Sequence, residues 1–150
     1  NAEAVDKYGP GLFHPVYLGD VYKEGRYRIE QKLGFGSQAT IWGARDLPSN
    51  ELVALKIFAA NLSQNNKELA ILQRLRDSTL VHPGREHVVE FLDYFYHDGV
   101  NGRHLVIVTK PLKQTLFYYT DNIVRGGRAV GEYTCSAFCR QLLLAVDFLH

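Results

Sequence analysis

A glycine-rich turn between two apolar runs most constrains the fold of this 150-residue chain. Tyr27, Ile29 and Leu33 alternate with polar residues, which is the period of a half-buried strand. The loop from Gly34 to Ala39 follows, and a second strand pattern runs from Thr40 to about Arg45. Two strands joined by so short a loop pair as a hairpin, so the sheet is expected to begin antiparallel.

The remaining pattern predicts a mixture of strands and helices. Strands are predicted at 27–33, 40–45, 52–58, 88–96 and 105–109. Helices are predicted at 65–76, around 115–124, and from about 132 to 150. The turn formers of 97–102 separate the last two strands, which indicates another hairpin. The expected fold class is α+β, with a five-stranded antiparallel sheet and one helix, followed by further helices.

Composition supports a folded domain and excludes several classes of protein. Hydrophobic residues make up 46% of the chain and charged residues 22%, which argues against a disordered or collagen-like protein. The net charge is only +1, so no basic field points to nucleic acid. No apolar run reaches the roughly 18 residues that a membrane span needs. The two cysteines cannot cross-link a domain of this size, and they favour a reducing compartment.

The glycine loop alone permits three interpretations. Gly34 and Gly36 let backbone amides approach a phosphate, because no Cβ stands in the way. The loop also fits the G-x-G-x-x-G/A string of dinucleotide-binding proteins, but that motif needs a helix directly after the loop, and a strand is predicted here. The third interpretation is an ordinary hairpin turn that binds nothing.

Lys56 and Glu68 are the candidate charged pair. Lys56 lies in an apolar strand on the same face as Ala54, whose small side chain leaves room for a flat ligand. The helix face that carries Glu68 also carries Ile71, Leu72 and Leu75. A carboxylate on an apolar stripe needs a cation, and Lys56 is the strand lysine nearby in sequence. The alternatives are a lysine at a sheet edge and a glutamate at the margin of the stripe, each facing water.

These features together resemble the N-lobe of a eukaryotic protein kinase. The run "LGFGSQATIW" (33–42) resembles the phosphate-covering loop, with an alanine at the third glycine position. "VALK" (53–56) resembles the strand whose lysine holds the nucleotide phosphates, and Glu68 matches the helix glutamate that pairs with it. "HLVIVTKPL" (104–112) resembles the last strand and the hinge, with Thr109 as the gatekeeper.

The N-terminal arm narrows the resemblance to the serine/arginine-rich protein kinases. "FHPV" (13–16), "GD" (19–20) and "GRY" (25–27) stand in the order expected for the segment before their glycine loop, and Trp42 also suits that group. The alternative is an arm that merely covers the lobe with its aromatic residues, and both can hold. The resemblance implies an extended arm at 1–24, an N-lobe and hinge at 25–112, and the first C-lobe helices at 113–150.

The resemblance also implies the site residues and the chemistry. Lys56 and Glu68 are the expected catalytic residues of this lobe. The expected ATP-binding residues are Leu33, Gly34, Phe35, Gly36, Ser37, Gln38, Ala39, Thr40, Ile41, Ala54, Lys56, Thr109, Lys110 and Leu112. The cofactors are ATP and Mg²⁺, and the metal ligands and the catalytic loop are expected in a C-lobe after His150. The parent protein is expected to transfer the ATP γ-phosphate to serines of Arg-Ser-rich proteins, in the cytoplasm, the nucleus or both.

Several departures keep alternatives open. The chain has no methionine and ends within a helical pattern, so it is expected to be part of a longer protein. The 12-residue spacing between Lys56 and Glu68 is short, and Pro111 removes a hinge N–H. A pseudokinase, or a truncated kinase-like binding protein without phosphotransfer, is the second hypothesis. A nucleic-acid-binding β domain is a third, raised by "RGGR" (125–128) and opposed by the low net charge.

Histidine and cysteine spacing gives no metal motif. The six histidines lack the H-x-x-x-H and H-E-x-x-H patterns, so they are expected at the surface and in turns. Cys135 and Cys139 are four residues apart on the last predicted helix, and they are expected to be small buried apolar residues.

Overall fold

The computed structural model describes residues 3–112, 125–127 and 129–150, in two compact units. Within these residues, one unit comprises the chain up to Asp77 together with Glu90–Pro111. The other comprises Ser78–Val89 and the described residues from Leu112 to His150. The helix predicted around 115–124 lies outside the described residues.

The first unit is built on one antiparallel sheet of six strands. The strands are β1 (Val21–Tyr22), β2 (Tyr27–Phe35), β3 (Ala39–Asp46), β4 (Glu51–Phe58), β5 (Phe91–Gly99) and β6 (Gly102–Thr109). Their order across the sheet is β1-β2-β3-β4-β6-β5. Two α-helices are described, α1 (Lys67–Asp77) in this unit and α2 (Glu132–Leu149) in the other. The predicted α+β class is confirmed.

The prediction of five strands is wrong by one, because the arm contributes β1. Its two residues pair with β2 through Val21↔Arg28 and Tyr22↔Tyr27. Three successive residues with positive φ, ending at Gly25, reverse the chain between the two strands. A two-residue strand is too short to show a period of two, so the alternation that reveals the other strands is absent here.

The β5–β6 hairpin is longer than predicted. Residues 97–102 were expected to form the turn, yet Gly99↔Gly102 is already a cross-strand pair and only 100–101 lie between the strands. His97 pairs with His104 and Asp98 with Arg103, so polar side chains extend both strands. Gly102 has φ +128°, a value that favours glycine and allows the tight reversal.

The main core lies on one face of the sheet. Its buried residues are Tyr22, Tyr27, Ile29, Trp42, Ala44, Val53, Leu55, Ile57, Val106 and Val108. Tyr27 of β2 stacks on Phe95 of β5 at 5.8 Å between ring centroids, and its hydroxyl donates to Asp93 at 2.9 Å. β2 and β5, which lie near opposite edges of the sheet, therefore contact each other across this core.

The arm packs on the first unit through both backbone and side-chain contacts. Gly11 N donates to Asn101 O at 2.7 Å, and Asn101 Nδ2 donates to Phe13 O at 2.6 Å. Ala60 N and Asn61 N, which follow β4, donate to the carbonyls of Leu12 and Gly11. Phe13 is buried. The arm is thus bound to the β5–β6 turn and to the segment between β4 and α1.

Three histidines cluster where the arm packs on β5 and β6, and the expectation of surface and turn positions is wrong for His104, which is buried, whereas His14 and His97 are half-buried. His14 lies 4.6 Å from His97 and 5.1 Å from His104 between ring centroids. His104 is fully buried, and its Nδ1 donates to Phe58 O at 2.9 Å. A Cβ on Gly99 would lie 2.3 Å from His14 Nδ1, so the glycine makes room for the ring. Only the folded chain brings these rings together, which sequence spacing does not reveal.

The second unit packs a short 3₁₀-helix, Pro83–His87, against α2. Gly84 approaches the backbone of α2 closely, and His82 stacks on Phe148 and contacts Asp147 at 3.1 Å. Cys135 and Cys139 are exposed on α2, so the expectation of buried cysteines is wrong in this structure. No helix in the described part of the chain is long and apolar enough to cross a membrane.

Candidate functional site

The structure brings Lys56 and Glu68 together. Lys56 Nζ lies 2.8 Å from Oε1 and 2.7 Å from Oε2 of Glu68, so both carboxylate oxygens accept from the ammonium. The Lys56 and Glu68 side chains are 33% and 41% exposed, and the ammonium lies 5.0 Å from the centre of the Phe58 ring. An ammonium has three N–H donors, so the geometry leaves one for an anion that approaches from solvent.

The start of α1 sets the position of Glu68. Asn66 caps the helix, because its Oδ1 accepts from Leu69 N at 3.1 Å while its Nδ2 donates to Leu62 O at 3.1 Å. Asn65, with φ +49°, turns the chain into this cap. Glu68 is consequently the second residue of the helix, where a carboxylate is also favoured by the helix dipole.

The apolar stripe predicted for α1 is only partly correct. Leu72 is buried, but Ile71 is 54% exposed and Leu69 is buried in its place. The helix therefore packs along Leu69 and Leu72, which are three residues apart on one face. Glu68 lies at the margin of this face, as the solvent alternative expected, but its carboxylate pairs with Lys56.

A row of small residues lies beside Lys56. Gly43, Ala54 and Thr109 lie directly opposite one another on β3, β4 and β6, so they share the face of the sheet that carries Lys56. A Cβ on Gly43 would lie 2.9 Å from the Gln31 side chain and 3.5 Å from that of Leu33. Sequence reasoning found Ala54 and Thr109 but missed Gly43, which the strand register could have revealed.

The glycine hairpin is open at both of its glycines. Phe35 ends β2 and Ala39 begins β3, and Gly36 N donates to Ala39 O at 2.9 Å. No heavy atom lies within 4 Å of a Cβ built on Gly34 or Gly36. The backbone at these two positions is therefore accessible to a ligand. The described chain continues from the hairpin as a strand, which removes the dinucleotide-motif alternative.

The other predicted loop residues are placed differently from one another. Leu33, Phe35, Ser37 and Gln38 are exposed, and Ala39 is buried opposite Phe58. Ile41 lies directly opposite Lys56 and shares its face. Thr40 is buried, and its hydroxyl accepts from Trp42 Nε1 at 3.0 Å in the main core. The Thr40 side chain therefore points away from Lys56, and only its backbone belongs to the loop.

At the first residue of the predicted hinge, Lys110, the backbone N–H is already hydrogen-bonded within the chain. Lys110 N donates to Glu90 O at 3.0 Å, and Lys110 Nζ lies 2.7 Å from Glu90 Oε2. This hydrogen bond raises the pKa of the Lys110 ammonium. Pro111 has no N–H to offer. Leu112 is 74% exposed and belongs to the second unit.

The site offers anion and planar-ligand recognition, without a metal centre in the described residues. Within 3–112, 125–127 and 129–150, no group of three or more His, Cys, Asp or Glu could hold a metal ion. A cation beside an open glycine backbone suits a phosphate, and the row of small side chains suits a flat ring. These residues therefore fit ATP, whereas they provide no ligand set for Mg²⁺.

Comparison with known proteins agrees with this geometry. A scan against protein-family models gives no match. Protein kinase dsk1 of Schizosaccharomyces pombe is 36% identical over 151 residues, which cover 99% of this chain and 27% of the relative. Serine/threonine-protein kinase SKY1 of Saccharomyces cerevisiae is 33% identical over 156 residues, covering 100% and 21%. Human SRSF protein kinase 3 is 34% identical over 147 residues, covering 95% and 25%.

The similarity covers nearly all of this chain but only a small part of each relative. It runs along nearly the whole of the present sequence, including the arm, yet the chain spans only about a quarter of the length of these three curated relatives. The glycine hairpin, the lysine on β4 and the glutamate on α1 lie within the matched region. The chain is therefore similar to SR-protein kinases along nearly its whole length, and its fold is that of a protein-kinase-like N-lobe.

Proposed function

We propose that the protein containing this chain is an ATP-dependent serine/threonine protein kinase, and that this chain supplies its nucleotide-binding lobe. The observation that carries the proposal is the Lys56–Glu68 ion pair beside an open glycine hairpin. The proposed substrates are serines of Arg-Ser-rich proteins, as the resemblance to SR-protein kinases implies. Cytoplasmic and nuclear location belongs to the same proposal.

Each part of the site has a proposed role in binding ATP. Lys56 donates to the phosphates while Glu68 holds its ammonium in place. The backbone at Gly34 and Gly36 covers the phosphates, since no side chain blocks the approach. Ala54 and Thr109 border the adenine, whose flat ring fits against small residues. Mg²⁺ would neutralise the charge that develops during transfer, and its ligands would come from the C-lobe.

The lobe contributes to catalysis by positioning and by charge. Lys56 is held at 2.7–2.8 Å from Glu68, so its N–H directions are set before nucleotide arrives. Such preorganised donors stabilise charge without reorganisation during the reaction. The γ-phosphoryl group passes from ATP to a serine hydroxyl, leaving ADP, while the serine proton goes to a base outside this lobe.

The test replaces Lys56 and measures both binding and transfer. Lys56→Met removes the ammonium and keeps a side chain of similar length. We expect the affinity of the chain for a fluorescent ATP analogue to fall roughly tenfold, because charge-assisted hydrogen bonds to phosphate are lost. In the full protein that carries the chain, transfer from [γ-³²P]ATP to an Arg-Ser peptide should fall by about 100-fold or more.

Lys67→Met is the matched control, because Lys67 is exposed at the start of α1 and lies outside the proposed site. It should leave binding and transfer unchanged. Equal effects of the two substitutions would contradict the role given to Lys56. Retained transfer in the Lys56→Met protein would overturn the assignment of Lys56, whereas the absence of transfer in the unaltered full protein would overturn the kinase proposal itself.

A pseudokinase remains the second candidate, and the hinge is the observation that favours it. The Lys110 N–H is already bonded to Glu90 O, and Pro111 provides no donor. With so few hinge donors the adenine is held less firmly, which favours a role that does not depend on turnover of ATP. Nucleotide or partner binding without any transfer to Arg-Ser peptides in the full protein would select this candidate.

A further inference from the structure

The segment between β4 and α1 is short. Glu68 follows Lys56 by 12 residues, and within them the chain leaves β4 at Phe58, forms the 3₁₀-helix Ala60–Leu62, and starts α1 at Lys67. Because the connection is short, a shift of this segment also shifts the helix that follows it. Whatever fixes this segment against the sheet therefore also fixes the height of Glu68 above Lys56.

Ser63 is the buried polar residue of this segment. Its side chain lies 1% exposed, and its hydroxyl makes two hydrogen bonds. It donates to Ala59 O at 2.9 Å, within the segment, and accepts from Leu105 N of β6 at 2.8 Å. A buried hydroxyl with both functions satisfied joins two pieces of backbone rigidly, because breaking either bond would leave a buried polar group unpaired.

The hydrogen bond from Leu105 N to the Ser63 hydroxyl extends the hydrogen bonding of β6 past the point where its pairing with β4 ends. The pairing of β4 with β6 ends at Ile57↔Val106, and the last residue of β4, Phe58, pairs only with Ala39 of β3. The next N–H of β6, that of Leu105, is taken by the Ser63 hydroxyl instead of a β4 carbonyl. Ser63 thus takes the place of a strand partner at Leu105 and fixes the segment before α1 to the buried part of β6.

The segment from Ser63 to Glu68 is held in place by hydrogen bonds at the start of α1. Asn65 has φ +49°, and Asn66 binds Leu62 O on one side and Leu69 N on the other. A displacement of Ser63 therefore moves the helix cap, and with it the second residue of α1. The Lys56–Glu68 hydrogen bonds at 2.7–2.8 Å are compatible with only a small displacement, since N–H···O hydrogen bonds need heavy-atom distances of about 2.7–3.2 Å and well-aligned donors.

We propose that Ser63 is a positioning residue of the phosphate site, which holds Glu68 on Lys56 by fixing the β4–α1 segment to β6. The inference rests on the proposed function, because it assigns Ser63 to the same nucleotide site. Ser63 does not touch the nucleotide in this scheme. It acts on phosphate binding only through Glu68.

The first measurement does not depend on nucleotide. Lysines in the full chain are acetylated with a low concentration of an N-hydroxysuccinimide ester, and modification is followed by mass spectrometry. In Ser63→Ala, we expect Lys56 to react about threefold faster relative to Lys67, because a loosened Glu68 no longer occupies its ammonium. Ser63→Thr keeps the hydroxyl and should restore the original rate.

Ser49→Ala is the matched control. Ser49 lies in the exposed turn between β3 and β4, and its hydroxyl also accepts from a backbone N–H, that of Glu51. This variant should leave the Lys56 rate unchanged. An unchanged Lys56 rate in folded Ser63→Ala, or no recovery in folded Ser63→Thr, would overturn the proposal.

The second measurement distinguishes positioning from a general loss of stability. Affinity for a fluorescent ATP analogue is measured for Ser63→Ala, Glu68→Gln and the double variant. We expect Ser63→Ala to weaken binding roughly fivefold alone and to have no further effect when Glu68 is already replaced. Additive losses would show that Ser63 acts elsewhere, and would overturn the proposal.

Two outcomes separate this inference from the proposed function. If the unaltered chain binds no nucleotide, the proposed function fails, and the acetylation rates alone decide whether Ser63 holds the ion pair. If Ser63→Ala does not fold, Ser63→Cys keeps the side-chain volume with a much weaker hydrogen-bonding group, and is measured in its place. Faster Lys56 acetylation in Ser63→Cys supports the inference, and an unchanged rate overturns it.

Discussion

His14 is a residue whose ionisation is linked to docking of the arm. Its ring packs against His97 of β5, His104 of β6 and Tyr22 of β1. Burial lowers the pKa of His14 to about 4, and the neighbouring His97 and His104 act in the same direction, while Asp20 opposes them. The folded chain consequently holds the imidazole neutral under conditions where an exposed histidine is already protonated.

This linkage predicts how stability depends on pH. The unfolded chain binds a proton at His14 below pH 6.5, whereas the folded chain resists it down to about pH 4. Stability from neutral His14 is therefore present above pH 6.5 and lost as the pH falls towards 4. Between pH 7 and pH 5, we expect thermal unfolding midpoints of the wild type to fall by several degrees more than those of His14→Gln. Parallel curves would contradict the buried neutral imidazole.

Residues with a charge were easier to predict from the sequence than residues that act by position. A lysine among apolar residues and a glutamate on a helix stripe are conspicuous, and the structure joins Lys56 to Glu68. Ser63 carries no such signal, because a serine near a helix start is common and its partner, Leu105, is distant in the sequence. Gly43 was missed for a related reason, since its neighbours lie on other strands.

At the scale of elements, the second unit depends on one glycine. A Cβ built on Gly84 would lie 1.8 Å from Leu144 O and 2.9 Å from the Phe148 Cβ. The backbone of the 3₁₀-helix Pro83–His87 therefore lies directly on α2, at a distance that no side chain allows. Because the obstacle is largely a backbone carbonyl within a helix, it cannot move aside at low cost.

Gly84→Ala is accordingly expected to separate the 3₁₀-helix from α2. We expect a loss of roughly 1–3 kcal/mol or more in the stability of the second unit, as in other overpacked sites. Hydrogen exchange of α2 amides, read by mass spectrometry, reports on this unit specifically. Gly36→Ala is the control, since nothing lies within 4 Å of its Cβ. Equal exchange in the two variants would exclude the close packing described here.

Strands could be predicted where the alternation of apolar and polar residues extends over enough residues to be recognised. The hairpin of β2 and β3 was expected because alternation flanks a glycine loop, and the structure pairs these strands. The two residues of β1 show no period, and the end of the β5–β6 hairpin uses polar residues that resemble a turn. Local sequence predicts a strand by its apolar face, whereas strand ends are fixed by partners elsewhere in the sheet.

At the scale of the whole molecule, the arm contributes to the first unit rather than merely preceding it. Phe13 is buried, and the backbone around Gly11 bonds both to Asn61 after β4 and to Asn101 in the β5–β6 turn. One alternative from the sequence was an arm that covers the lobe with its aromatic residues, and the structure agrees with it at Phe13, whereas Tyr17 is exposed. Its specific partners could not be predicted, because they are backbone groups of distant segments.

Removing residues 1–16 is therefore expected to destabilise the first unit. The loss should be at least about 2 kcal/mol, which is the contribution of one large buried apolar side chain such as Phe13. Urea unfolding followed by the fluorescence of Trp42, the single tryptophan, reports on this unit. Removing only residues 1–7 spares Phe13 and should cost much less. Equal losses from the two truncations would contradict the role given to Gly11–His14.

The attachment of the arm has a consequence for the order of events during synthesis. The arm leaves the ribosome before the β5–β6 turn, because Asn101, which donates to Phe13 O, follows Phe13 by 88 residues. Until that turn has left the exit tunnel, the arm has no complete binding surface and remains undocked. Contacts so distant along the chain also close slowly. The arm is thus made before the rest of its unit but is among the last parts of that unit to reach its final place, and a docked arm marks a completed β5–β6 hairpin.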